Sequence, residues 1–200
     1  MKKILRDSYA RIYNRGMQII DLAPTDVTLV RQAATLLVEG FLEHSPASWP
    51  DHETALQEVH EALAPGKICR VAIDEQGEVL GWVGGSSQYD GHVWELHPLV
   101  VDPRYQRRGI GRALVNDLEE QVRRQGGLTI LLGSDDEDGM TSLSGVDLYD
   151  DTWGRIANVR NLHGHPYEFY QKLGFRIVGV VPDANGIGKP DILMAKRVNE

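Results

Sequence analysis

Trp94-Glu95-Leu96-His97-Pro98-Leu99-Val100-Val101-Asp102-Pro103-Arg104-Tyr105-Gln106-Arg107-Arg108-Gly109-Ile110-Gly111-Arg112 is the stretch on which the fold turns. Its first eight residues form an extended, apolar-rich run. Pro98 inside it lacks the N–H that a sheet ladder needs, which predicts a bulge or a splayed strand there and leaves backbone groups for a ligand. The run passes into a basic turn in which Gly109 and Gly111 let the chain pass close beneath a ligand, and the helix that follows presents unsatisfied N–H groups in its first turn. Such a helix start takes a phosphate. A Gly-x-Gly alone is as readily an ordinary strand-to-helix connection. Here Arg104, Arg107, Arg108 and Arg112 crowd it in a chain of formal net charge -8, and an anionic ligand is the simplest account of that local reversal of sign. The third glycine of the dinucleotide fingerprint and the Gly-Lys-Ser/Thr of the triphosphate loop are both missing.

Outward from this stretch, the chain of 200 residues with 42% hydrophobic content suits one α/β domain with a sizeable core. Residues 1–16 read as a polar extension that can be disordered, and 17–200 as a single domain. A first strand runs through Met17–Leu22, and Thr25 or Asp26 caps a helix that carries apolar residues at helical spacing to Phe41. A second helix starts at Asp51 and ends before Pro65-Gly66. These two helices suit the wall and lid of a substrate cleft, which puts Trp49, in the loop between them, among the substrate contacts. Residues 68–73 and 78–86 form a hairpin, and the central strand, a helix from Ile110 to the Gly126-Gly127 stop and a short strand at 128–132 make a parallel crossover unit. Residues 133–162 are polar, with a helix in their second half. A short helix at 166–173 and strands at 175–181 and 189–196 complete a mixed central sheet flanked by helices, with one parallel pair splayed near Pro98.

Composition narrows the function. No run of about 18 apolar residues is present to span a bilayer, and the basic start lacks the apolar core of a secretory signal. With Cys69 as the one cysteine, a disulfide within the chain is excluded and a cytoplasmic protein is expected, the thiol sitting in an alternating strand as an inert core residue. The excess of 29 acidic over 21 basic residues argues against nucleic acid and for a cationic partner. Glu95 and His97 are two apart on a strand and so share a face, where they suit an amine that must shed its proton, or simply satisfy backbone groups at the strand edge. Asp135, Asp136, Glu137 and Asp138 are either a solvated loop or a site that draws in a compound with several ammonium groups. The alternating ligand pattern of a calcium loop is not there, and no metal is expected.

Two segments carry a resemblance. Gln106-x-x-Gly109-x-Gly111 after Val100-Val101-Asp102-Pro103 resembles the acetyl-coenzyme A loop of the GNAT superfamily of N-acetyltransferases, and Pro166-Tyr167-Glu168-Phe169-Tyr170-Gln171-Lys172-Leu173-Gly174-Phe175 resembles its closing helix. The resemblance implies the GNAT fold. It implies that acetyl-coenzyme A lies along Leu99, Val100 and Val101, with Gln106, Arg107, Arg108, Gly109, Ile110, Gly111 and Arg112 holding its pyrophosphate. Tyr170 then touches the cofactor sulfur and protonates the departing thiolate, a feasible transfer given reference values near 10 for a phenol and 8.5 for a thiol. The Leu99 N–H serves the thioester carbonyl as an oxyanion donor. Where many members have an Asn seven residues before the tyrosine, this chain has His163.

Trp94–Val101, Gly133–Asp136, Asp147–Tyr149, His165–Tyr170 and Lys189–Ile192 together are similar to the chromosomal aminoglycoside 6'-N-acetyltransferases found in enterococci, over residues 17–197. That narrower resemblance implies a homodimer with an acidic aminoglycoside cleft. Carried over by motif, the active-site carboxylate and histidine fall on Glu95 and His97, the amide donor on Leu99, an acidic-loop substrate contact on Asp138, and the tyrosine on Tyr170. Asp135 and Asp136 join Glu95, Asp138 and Trp49 on the substrate side. The expected reaction is direct acetyl transfer to the 6'-amine in a ternary complex, conferring resistance. The alternatives are a protein or polyamine N-acetyltransferase, or a non-catalytic acyl-coenzyme A binding module that would need neither Glu95 nor Tyr170. If the basic turn holds the pyrophosphate, Gly111→Asp raises the KM for acetyl-coenzyme A strongly in a folded variant, as steady-state kinetics reads directly.

Overall fold

The computed structural model describes residues 11–13 and 16–199, and the chain divides into two units. The first ten residues of the sequence-predicted extension lie outside the described residues. Arg11–Tyr13 form a short strand, β1, antiparallel to β2 (Met17–Asp21).

The first unit, residues 1–87 and 96–124, contains β1, β2, β3 (Ile68–Ile73), most of β4 (Val79–Gln88), and the second half of β5 (Val93–Val101). These strands neighbour one another in chain order. Helices α1 (Val27–Phe41) and α2 (His52–Ala62) supply the apolar faces that meet Val71, Val79, Trp82 and Val100 in one core. Asp51 caps α2, its Oδ1 accepting the Thr54 N–H at 2.9 Å, whereas Asp26 precedes α1 without a side-chain cap bond. The fully buried Trp82 donates its indole N–H to Cys69 Sγ at 3.0 Å, and burial pushes that thiol up to about 12, so Cys69 is inert.

Helix α3 (Ile110–Arg124) lies over glycine: a Cβ at Gly81 of β4 would stand 2.9 Å from Leu114 Cδ1 and 3.0 Å from the Val100 carbonyl. Its other anchor is electrostatic. Arg70 of β3 is buried; its Nε donates to Asp117 Oδ2 at 2.6 Å and its Nη2 to Asp117 Oδ1 at 3.2 Å, while Nη1 reaches Asp21 Oδ1 at 2.5 Å. Burial alone would pull the guanidinium pKa down, and the bonds and charge of Asp117 outweigh it to leave it raised.

The second unit, residues 88–95 and 125–200, contains the first half of β5, β6 (Thr129–Asp135), β7 (Arg176–Val181) and β8 (Asp191–Arg197), ordered β5-β6-β8-β7. Its core gathers Trp94, Ile130, Leu132, Leu143, Tyr167, Phe175, Ile192 and Met194. The pair β5·β6 is parallel and short: Val93, Trp94 and Glu95 stand beside Thr129, Ile130 and Leu131, and there the pairing ends. The separation begins at Glu95, before the expected position of Pro98, which sits inside β5 after a cis peptide bond. Strand β6 runs to Asp135, beyond the expected end at 132, because β8 pairs with it through Asp135↔Asp191. The outermost strand, β7, has a register irregularity between Ile177 and Gly179. Helices α4 (Thr152–Ala157) and α5 (Tyr167–Gln171) fall where helices were expected. Among the described residues no helix is long and apolar enough to cross a membrane.

The Arg70–Asp117 pair gives a stability test. Asp117→Ala strands a buried guanidinium and is expected to cost about 3–5 kcal/mol, whereas Asp21→Ala, at a carboxylate 69% exposed, is expected to cost under about 1 kcal/mol, both read from urea midpoints at constant m.

Candidate active site

In β5 burial alternates, with Trp94, Leu96, Pro98 and Val100 buried and Glu95, His97, Leu99 and Val101 facing the other way. The four candidate positions therefore share one face of the strand, as the period of two requires. The predicted site residues are distributed over both units.

In the first unit, Gly84 of β4 makes room for the His97 carbonyl, which a Cβ at that position would strike. The exposed His97 ring tilts against Trp49 with centroids 6.0 Å apart, and its Nε2 lies 4.0 Å from Glu58 Oε1 on α2. Trp49 itself is buried and packs edge-on to Phe41 at 4.6 Å. The structure thus brings it to His97 as a packing partner, and Glu58 of α2 is the histidine's charged neighbour.

Beyond Val101 the chain turns at Asp102, whose carboxylate accepts from the Arg104 backbone N–H at 2.8 Å and from its guanidinium Nη2 at 2.6 Å. The Arg104 bonds and desolvation oppose each other at Asp102, and the bonds prevail to lower its pKa. Arg104 is accordingly tied to the turn, while Arg108 stacks on the Tyr105 ring at 5.0 Å and Gln106 Nε2 donates to the Val101 carbonyl at 3.4 Å. Gln106, Arg107, Arg108 and Gly109 are exposed, and Arg107 and Gly109 both have positive φ, 59° and 89°. Ala113 N–H to Gly109 O closes the first turn of α3, so the N–H groups of Ile110, Gly111 and Arg112 stand at an open helix start beside this turn. Open N–H groups and the positive end of the helix dipole are features that suit an anion such as a pyrophosphate. An open cavity of about 380 Å³ elsewhere in the unit, lined by Arg31, Gln32, Thr35, Glu39 and the Asp102–Arg104 pair among others, contains none of the candidate residues.

In the second unit, Glu95 accepts from Gln88 Nε2 at 2.6 Å. The acidic run divides. Asp135 is an exposed strand residue hydrogen-bonded to Asn185. Asp136 is fully buried and accepts from the backbone N–H groups of Met140 at 2.7 Å and Thr141 at 2.8 Å, so its carboxylate holds the loop and does not face a ligand. Asp138 is exposed. Tyr170 is buried on α5 against Phe175, 5.7 Å between centroids, and burial pushes its phenol pKa up, so the neutral hydroxyl is a weaker acid than a free phenol. Asp191, quoted above only as part of a motif, is the carboxylate that sequence reading left without a role. Burial foremost, then Asp135 and Glu95, push it up to about 6 against the opposing Ser134 N–H. Its signal lies in strand register, which a single sequence does not display.

The sequence profile of the Acetyltransferase (GNAT) family matches residues 34–142, and the chain belongs to that family. It is similar to a crystal structure of an aminoglycoside 6'-N-acetyltransferase complexed with coenzyme A, at 43% identity and a TM-score of 0.83 over 91% of this chain and 97% of that one. It is similar also to the aminoglycoside 6'-N-acetyltransferase from Enterococcus faecium, at 43% identity, a TM-score of 0.81 and the same coverages, 91% and 97%. An aminoglycoside 6'-acetyltransferase type Ii matches at 37% identity and a TM-score of 0.68, again over 91% and 97%. No match was found among curated proteins.

Tyr170→Phe keeps the packed ring and removes the proton. The expected result is a fall of about 100-fold in the chemical step, measured in single turnover, with little change in acetyl-coenzyme A binding.

Proposed function

We propose that the protein transfers the acetyl group of acetyl-coenzyme A to the 6'-amine of an aminoglycoside by direct attack in a ternary complex. The observation that carries this reading is the likeness, at 43% identity over 91% of the chain, to enzymes of that activity. The open α3 start and its exposed arginines support a pyrophosphate role for Gln106–Arg112, and the outward face of β5 supports Leu99–Val101 as the strand along which the pantetheine arm lies. The Leu99 N–H donates to the thioester oxygen as it gains charge. The amine nitrogen forms the C–N bond, the C–S bond breaks, and Tyr170 gives its proton to the thiolate.

Glu95 or a water beside it takes the proton that the ammonium must lose before attack, and His97 is the second candidate base. Asp135 and Asp138 attract the polycation, whereas Asp136 serves them by fixing the loop. Trp49 acts by seating His97 as much as by meeting substrate. A cytoplasmic homodimer completes the reading: the resemblance implies the dimer, and the single buried thiol needs no oxidising compartment. Sedimentation reads the assembly.

A panel of aminoglycosides, polyamines and basic peptides, each with acetyl-coenzyme A, tests the acceptor class. Aminoglycosides with a 6'-amine are expected to give the highest kcat/KM, and Glu95→Gln to lower kcat for them by about 100-fold while leaving the acetyl-coenzyme A KM in place. Efficient turnover of peptides alone would replace the assignment.

A further inference from the structure

Strand register places three carboxylates on one face of the second unit. Asp191 of β8 stands opposite Asp135 of β6, Leu193 opposite Gly133, and Ala195 opposite Leu131, which in turn neighbours Glu95 of β5. Residues paired across strands, and those two apart along them, point to the same side. Asp191, Asp135, Gly133 and Glu95 therefore share a face. Gly133 is the gap in it: a Cβ there would come within 2.7 Å of Asp191 Oδ1 and 2.9 Å of its Cγ. The Asp191 side chain thus leans across β6, the strand that separates β8 from β5, in the direction of Glu95.

The other two carboxylates have donors, Asn185 for Asp135 and Gln88 for Glu95. Asp191 Oδ1 is buried and has no hydrogen-bond partner. A carboxylate oxygen held out of water without a donor is costly, and the Ser134 N–H, which favours the ionised carboxylate, does not outweigh burial.

We propose that Asp191 is a second carboxylate of the acceptor site, which together with Glu95 receives the ammonium groups of a polycationic acceptor. The inference rests on the proposed function and names a specificity-determining residue within it. An ammonium supplies the missing donors, and rotation about χ2 exchanges the buried oxygen for its partner, since the residue as a whole is only part-buried. The charged groups facing Asp191 are Asp135 from β6 and Glu95 from β5, both negative; β7 presents Val181. With its carboxyl raised to about 6, Asp191 holds a proton in part of the molecules below neutrality, and a bound cation expels it. Acceptor affinity therefore rises as pH increases through 6, a range in which the acceptor's amines stay protonated.

The sign for stability is opposite. Because the folded pKa lies above the unfolded one, the protonated form's contribution is complete below the ordinary carboxylate range and is lost as pH rises through about 6. At pH 7.5 Asp191→Asn removes an ionised carboxylate whose Oδ1 lacks a donor, and its new amide can donate to Glu95 or Asp135.

The test uses the full chain and kanamycin as acceptor. Asp191→Asn is expected to raise the kanamycin KM about tenfold or more, leave the acetyl-coenzyme A KM unchanged, and keep or raise Tm at pH 7.5. Calorimetry at pH 5.5 in two buffers of different ionisation enthalpy should show proton release when kanamycin binds the wild type and less in the variant. A kanamycin KM within twofold of wild type overturns the proposal, as does a fall in Tm accompanied by equal losses for both substrates, the signature of a structural role. A wild-type enzyme that turns over spermidine and not kanamycin overturns the proposed function instead, and the same readouts with spermidine then decide the role of Asp191.

Discussion

Three residues of parallel pairing hold β5 to β6, and the proposed chemistry rests on their being only three. Through Val93, Trp94 and Glu95 the strand is an ordinary member of a ladder beside Thr129, Ile130 and Leu131. From Leu96 onward β5 remains a strand beside β4 but no longer pairs with β6. Its amide groups on that side are then available to an extended ligand, which is how a strand edge recognises one. Glu95 is the last residue under the constraint of pairing, and His97, two residues on, belongs to the released part of the strand.

The rest of the first unit keeps that released half rigid. Gly84 and Gly81 let β4 and α3 approach β5 at the His97 and Val100 carbonyls, and the Arg70 guanidinium joins β2, β3 and α3 through Asp21 and Asp117. Charge is apportioned to match. Arg107, Arg108 and Arg112 face solvent at the basic turn and Arg104 is paired with Asp102, while Glu95, Asp135 and Asp191 share the face made by β5, β6 and β8. An acidic chain thereby keeps one positive turn apart from an acidic surface, the division that the proposed function assigns to an anionic cofactor and a cationic acceptor.

Most of this was legible where the signals are local. The strand, turn and helix from Trp94 to Arg124 could be read because proline, glycine, arginine and helical periodicity act within a few residues of one another, and the same holds for the α2 cap at Asp51 and for the tyrosine helix. Gly133–Asp135 was different. Glycine, serine and aspartate have loop propensity, so the strand was expected to end at Leu132, yet pairing with β8 extends it, because tertiary context overrides a weak β-propensity. The same long-range fact hid Asp191, whose neighbours lie 56 and 96 residues away, and it disguised Asp136, an apparent ligand whose oxygens are taken by Met140 and Thr141. Composition counts charges, but only the fold shows which of them are free to meet a ligand.

The irregularity in β7 bears on how the protein behaves when it is concentrated. A strand at the end of a sheet exposes a row of donors and acceptors that can template the strand of another molecule, and β7 carries the exposed Val178 and Val181 as well. The register shift between Ile177 and Gly179 interrupts that row halfway along a six-residue strand. What remains on either side is short, and an irregularity of this kind is one of the devices by which a sheet edge is blunted against pairing with another molecule.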